Sequence, residues 1–175
     1  MTSPAARAAA TWLALSAGHD TGDYLIQIDR WARRKGARND RPVTLTDPDT
    51  GHTTTCRTRE GRAACAAHVL SYVATQSVAL WGVNRALRLG LTPRRAAAAL
   101  ALSGVTHYWI DRHAGQWQDP PERARGIVRV LHATGKGGWL QRDPSAGPTV
   151  DQALHRIILA IAATAAATPG RKHHP

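Results

Sequence analysis

Three histidine–aspartate pairs, each four residues apart, are the residues of this 175-residue chain whose types and spacing could do chemistry. They are His19 with Asp23 in GHDTGDYLIQ, His107 with Asp111 in THYWIDR, and Asp151 with His155 in VDQALHR. Residues i and i+4 of a helix lie on one face, one turn apart, so each pair can aim an imidazole and a carboxylate at one point. Nitrogen and oxygen donors of this kind suit a divalent ion such as Zn, Mn or Fe. Brought together, the three pairs would supply six ligands, enough for one or two ions. His68, in the middle of an uncharged stretch, offers a seventh. The plain alternative is that each pair is a helix-surface contact or a cap, and that His68 is a core histidine satisfied by a hydrogen bond.

A centre of this composition would do hydrolysis. A divalent ion lowers the pKa of a water towards neutrality, and two ions about 4 Å apart stabilise an in-line phosphoryl displacement. One of Asp23, Asp111 and Asp151 could instead act as the general base. Arg112 and Arg156, each next to a pair, could grip a phosphate bidentately. Lys136 in TGKGGW adds a cation where glycine amides can approach an anion, although GKGG lacks the spacing and the Ser or Thr of a Walker loop and reads equally as a flexible loop. Gln27 and Gln152 suit the role of orienting ligands, or are simple surface amides. Asp20 follows His19 as in the HD phosphohydrolases, but no histidine precedes the doublet, so that superfamily is not assigned.

The net charge is +11, nearly all from arginine, and favours an anionic partner: a small anionic molecule, a nucleic acid or an anionic membrane surface. A genome rich in Arg and Ala codons explains the same balance. The alternative function is therefore a basic nucleic-acid-binding or regulatory protein whose pairs are structural hydrogen bonds. Within the basic run at 30–38, Trp31 could stack on a base, or the run is a solvated helix end.

To position these residues the chain must be helical. Phe is absent, and the alanine runs at 96–99 and 162–167 favour close-packed helices. We expect an all-α bundle of five to six helices in one domain over residues 1–168. The helices are expected from Pro4, capped by Ser3, towards His19; over 23–35; over 61–89; from Pro93, capped by Thr92, to His113; from Pro121 to about 134; and from a Thr149 cap to 168. A polar insertion at 37–58 holds a β-hairpin near 42–57 with its turn at Pro48–Gly51. The stretch 135–148 reads as a loop, and 169–175 as a disordered tail.

Cys56 and Cys65 form no C-x-x-C motif, so no disulfide framework is expected, and a reduced cytoplasm is the default location. Ala63 to Val83 is 21 residues without a formal charge, close to a bilayer span. Its His68, Ser71, Thr75, Gln76 and Ser77 favour a buried bundle helix instead, which makes membrane association the lesser expectation.

Five blocks, in order, carry a further reading: GHDTGDYLIQIDRWARRKG, AAHVLSYV, THYWIDR, ATGKGGWLQRD and VDQALHR. In them the chain resembles an uncharacterised bacterial family, the domain of unknown function 3307, especially its actinobacterial-type members, over about four-fifths of its length. The family pattern falls on His19, Asp23, Gln27, His68, His107, Asp111, Asp151, Gln152 and His155. The resemblance implies that this polar set belongs together, and it supplies no activity. Many members look like integral-membrane proteins, from which this chain departs in its low hydropathy and high charge.

Overall fold

A computed structural model describes residues 2–168; the expected tail at 169–175 lies outside them. Among the described residues the fold is all-α, with seven α-helices, a π-helical turn and one two-stranded antiparallel hairpin. The helices are α1 (Pro4–Asp20), α2 (Asp29–Arg34), α3 (Thr58–Ala86), α4 (Pro93–Asp111), α5 (Gly126–Ala133), α6 (Gly137–Arg142) and α7 (Ala146–Ala167). The π turn is Thr21–Ile26, and the hairpin pairs β1 (Val43–Thr46) with β2 (Thr53–Cys56). The chain divides into two compact units, one of residues 2–28, 68–107 and 155–168, the other of 29–67 and 108–154.

The first unit is built from α1, most of α3 and α4, and the later part of α7. Ser3 caps α1 as expected, its hydroxyl accepting from the Ala6 amide at 3.2 Å, with Pro4 at the first helical position. Thr92 caps α4 in the same way, accepting from the Arg95 amide at 3.4 Å. Helix α3 ends at Ala86, sooner than expected. Asn84 closes that end by accepting from the Leu91 amide at 3.0 Å, and Arg88 and Gly90 turn with positive φ. Small residues let the helices pack closely: the apolar core joins Ala14 and Leu15 to Leu80, Ala99, Leu159 and Ala163.

Beside that core lies a polar layer. Gln76 is fully buried; it donates to the Leu15 carbonyl at 2.9 Å and accepts from the Ser103 hydroxyl at 2.9 Å. Ser103 in turn meets the Tyr72 hydroxyl at 2.8 Å. Replacing Gln76 by Ala strips partners from two buried groups, so we expect a loss of about 2–3 kcal/mol. A lower denaturation midpoint with an unchanged m-value is the measurement that checks it.

The expected helix over 23–35 is instead a π turn and the six-residue α2. The π turn closes with the Gln27 amide donating to the Gly22 carbonyl at 3.0 Å, an i→i+5 bond, and Gln27 then turns extended. Gly22 permits it, because an added Cβ would stand 3.0 Å from Thr75 Oγ1 and 3.2 Å from the Tyr72 Cα.

In the second unit the hairpin pairs Val43 with Cys56 through Thr46 with Thr53, as expected. Asp47 sets its turn by accepting from the amides of Asp49 and Thr50 at 2.9 and 3.0 Å. Helix α5 begins at Gly126 rather than Pro121, because residues 120–124 close as a turn onto the Pro120 carbonyl. The stretch 135–148, expected as a loop, carries α6: Gly137 lies where an added Cβ would be 2.1 Å from His132 Nδ1, and Leu140 is buried. Helix α7 starts at Ala146, not at a Thr149 cap, and the Thr149 hydroxyl donates to the Ser145 carbonyl within the helix. The start is fixed by Asp143, which accepts from the Ser145 hydroxyl at 2.7 Å, the Ser145 amide at 2.8 Å and Trp139 Nε1 at 3.0 Å.

The bonds from Ser145, then that from Trp139, hold the Asp143 carboxyl below its ordinary 3.8. A depressed carboxylate contributes above its unfolded pKa and is lost as pH falls through the folded one. Trp139 emission should therefore stay constant down to about pH 4 and change only below it; an acid titration of fluorescence, with Asp143→Asn as reference, reads this.

Candidate metal centre

Five of the seven expected ligands come together inside the first unit: His19, Asp23, His68, His107 and His155. Each is placed by helical spacing. Helix α3 carries His68, Tyr72 and Gln76 at intervals of four, and α4 carries Ser103 and His107 at the same interval. His19 ends α1, Asp23 rides the π turn, and His155 comes from α7. All four imidazoles are buried.

Asp23 joins the histidines. Its Oδ1 lies 3.3 Å from His68 Nε2 and 3.4 Å from His107 Nε2, while its Oδ2 lies 3.6 Å from His19 Nε2. The Nε2 atoms of His68 and His107 are 2.8 Å apart. Donors ~2.1 Å from one Zn, Mn or Fe ion stand about 3.0 Å apart on an octahedron and about 3.4 Å apart on a tetrahedron. The three edges of 2.8, 3.3 and 3.4 Å therefore fit one face of such a polyhedron. A second set, His19, His107 and His155, also brings its donor atoms within 4.8 Å of one another. His107 belongs to both sets.

The rings are held by stacking. His107 stacks on Tyr72 with centroids 3.8 Å apart and on His155 at 4.2 Å, and His19 lies edge-on to Tyr72 at 5.6 Å. Tyr72, Gln76 and Ser103 form this supporting layer, and none of them stands among the expected site residues. Their signal is in the sequence: they continue the four-residue spacing from His68 and His107 along the same helix faces.

The other expected residues lie elsewhere. Asp111 and Asp151 belong to the second unit, where they bring oxygens within 4.8 Å of each other. Asp111 is buried and ion-paired at 3.0 Å with Lys35. Lys35 and Asp151 also line a cavity of about 410 Å³ together with Gly115, Trp117, Gln118 and Pro148. Arg112, expected to grip a phosphate, is buried and donates to the backbone carbonyls of Lys35 and Ala37. Burial first, then Arg38, pushes its pKa below the ordinary guanidinium value. Its role in the structure is to anchor the chain at 35–37. Lys136 and Arg156 are exposed, Arg156 directly after His155 on α7. Gln27 follows the π turn, half-buried, and Gln152 lies half-buried one residue after Asp151. Cys56 and Cys65 are free and buried, with Cys65 Sγ donating to the Tyr108 carbonyl at 3.6 Å.

Fold and site together define an all-α protein with buried histidine–aspartate groups able to hold a metal ion. No family model, no curated protein and no solved structure matches the chain.

Proposed function

We propose that this protein is a metal-dependent hydrolase acting on a phosphoester of a nucleotide or nucleic acid. The observation that supports this reading is the Asp23–His68–His107 triangle, whose edges suit one divalent ion. When bound, such an ion supplies a nucleophilic water at neutral pH and polarises a phosphoryl oxygen. The residues do the rest. His68 and His107 fix the donor geometry, and Asp23 spans both histidine sets with its two oxygens. Tyr72 holds the His107 ring in plane by stacking. Arg156, exposed and directly after His155 on α7, is the cation we assign to meeting an anionic substrate. The order of the five sequence blocks also supports placing the chain with the domain of unknown function 3307 family.

Elemental mass spectrometry on tag-free protein purified without chelator tests the metal, and hydrolysis of bis(p-nitrophenyl) phosphate tests the reaction. We expect one or two equivalents of Zn, Mn or Fe, and activity lost on chelation. Asp23→Asn should weaken metal affinity by at least about tenfold while the protein stays folded. Metal-free protein that is folded and fully active would overturn the reading.

A second reading, binding to nucleic acid without catalysis, is favoured by one feature of the second unit. A cavity of about 500 Å³ there is edged by Arg38, Arg41, Arg123 and Arg125. Arg41 pairs with Asp119, and Arg125 lies 3.7 Å from Asp40, so part of this charge is already matched. Binding of single-stranded DNA that weakens steeply with salt would support it, and no binding at low salt would end it.

A further inference from the structure

We infer that the end of the first unit where α3 turns into α4 binds single-stranded nucleic acid, with Trp81 stacking on a base and Arg85, Arg88, Arg94 and Arg95 meeting phosphates. This names a partner and the surface that takes it. It rests neither on the metal reading nor on the arginine-edged cavity of the second unit. The observation that carries it is how the two units treat their cations. In the second unit several are matched: Arg33 pairs with Asp29, Lys35 with Asp111, Arg41 with Asp119 and Arg125 with Asp40. In the first unit the only Asp or Glu among the described residues are Asp20 and Asp23, at and just after the C-terminal end of α1. None of the four arginines pairs with a carboxylate. A codon bias towards arginine raises its number everywhere; it does not clear acids from one end of a unit.

The turn that carries the arginines is anchored from beneath. Leu89 and Leu91 are buried in the apolar core. Asn84 accepts from the Leu91 amide at 3.0 Å, and Arg7 donates to the Leu89 carbonyl at 2.7 Å. Arg85, Arg88 and Arg94 are exposed above this frame. A surface held in place loses little freedom on meeting a ligand. Arg94 and Arg95 stand in the first turn of α4, which carries no acidic residue. That end of a helix is already positive, so the placement disfavours the free protein and favours the one with an anion bound. Trp81, 67% exposed, lies one helical turn before Arg85. Ring and guanidinium therefore share a face of α3, about 6 Å apart along its axis, and meet base and phosphate of one strand in turn. Aromatic faces stack on any base while cations track the backbone. A duplex hides the faces of its bases, and an anionic lipid headgroup has no ring to stack, so a single strand is the polyanion that this pairing suits.

The test is fluorescence anisotropy of the full chain with a fluorescein-labelled oligothymidylate of about twelve nucleotides, over a series of salt concentrations. The logarithm of the association constant should fall by about 3 for each tenfold rise in salt, as four phosphate contacts on a single strand require. Arg85→Gln with Arg94→Gln should roughly halve that slope. Trp81→Leu should weaken binding about tenfold and leave the slope as it was, because stacking releases no counterions. Arg123→Gln with Arg125→Gln, in the second unit, should change neither. Metal content read on the same samples should be the same in all these variants, so strand binding and metal binding stand or fall separately. No binding at low salt would overturn the inference, as would an unchanged slope in the Arg85 and Arg94 variant or full affinity in Trp81→Leu. Loss of binding in the Arg123 and Arg125 variant would move the strand to the second unit and overturn it too. So would phosphatidylglycerol vesicles that take the protein off the strand at equal phosphate.

Discussion

Replacing His107 by Ala should remove bound metal altogether. His107 is the member shared by both donor sets, facing His68 Nε2 at 2.8 Å and Asp23 Oδ1 at 3.4 Å. Deleting it takes one corner from each set at once. Loss of groups that merely orient a ligand weakens metal affinity by about 10–100-fold, so loss of a shared ligand should exceed about a hundredfold. Because the ring also stacks on Tyr72 and His155, the alanine leaves a cavity, and we expect a further loss of stability of about 2–4 kcal/mol. His107→Gln separates the two effects. It fills much of the space, so stability should largely return while metal content stays low. Elemental analysis beside a denaturation curve for both variants reads the outcome. If His107→Ala retained a full equivalent of metal, the triangle would not be the binding site.

Gly18→Ala should be among the most destabilising single methyl additions in the first unit. A Cβ at Gly18 would stand 2.6 Å from the Gln76 Cα and 3.1 Å from its amide nitrogen, both backbone atoms that cannot swing aside. Helices α1 and α3 must therefore separate. That separation strains the bonds that join them, from Gln76 to the Leu15 carbonyl at 2.9 Å and from Thr75 to the Gly18 carbonyl at 3.0 Å. Overpacking of this kind costs roughly 2–3 kcal/mol. For a chain of this size that is a fall in Tm on the order of 5–10 °C. The neighbouring His19 would move with α1, so metal occupancy should fall as well. A differential scanning measurement with and without added metal tests both. By contrast Gly82→Ala meets no atom within 4 Å and should leave Tm unchanged or slightly raised, since alanine is the better helix former.

Much of this site is legible in the sequence because helical spacing is a local property. His19, His107 and His155 stand out by their i,i+4 carboxylates, and His68 by its place in an uncharged stretch. The all-α class and the hairpin follow from alanine runs and from a turn-forming cluster between β-branched segments. What the sequence leaves open depends on tertiary contact. The π turn needs Gly22 packed against Tyr72 and Thr75, a contact across 50 residues. Helix α6 needs the His132 ring against Gly137. Arg112 reads as a free cation until its guanidinium is seen committed to the Lys35 and Ala37 carbonyls.

The π turn at Thr21–Ile26 amounts to one surplus residue stored in the end of α1. Its removal is a register change. An α-helix advances about 100° per residue, so deleting one position from this turn would let α1 run on and rotate everything after it by that angle. A deletion after Asp23 would leave His19 and Asp23 four residues apart on one face, yet swing Gln27 and α2 round by that angle, so the pair would survive while the chain left the site in another direction. Residue identity and spacing thus write the pair, and the count of residues in the turn writes where the chain goes next.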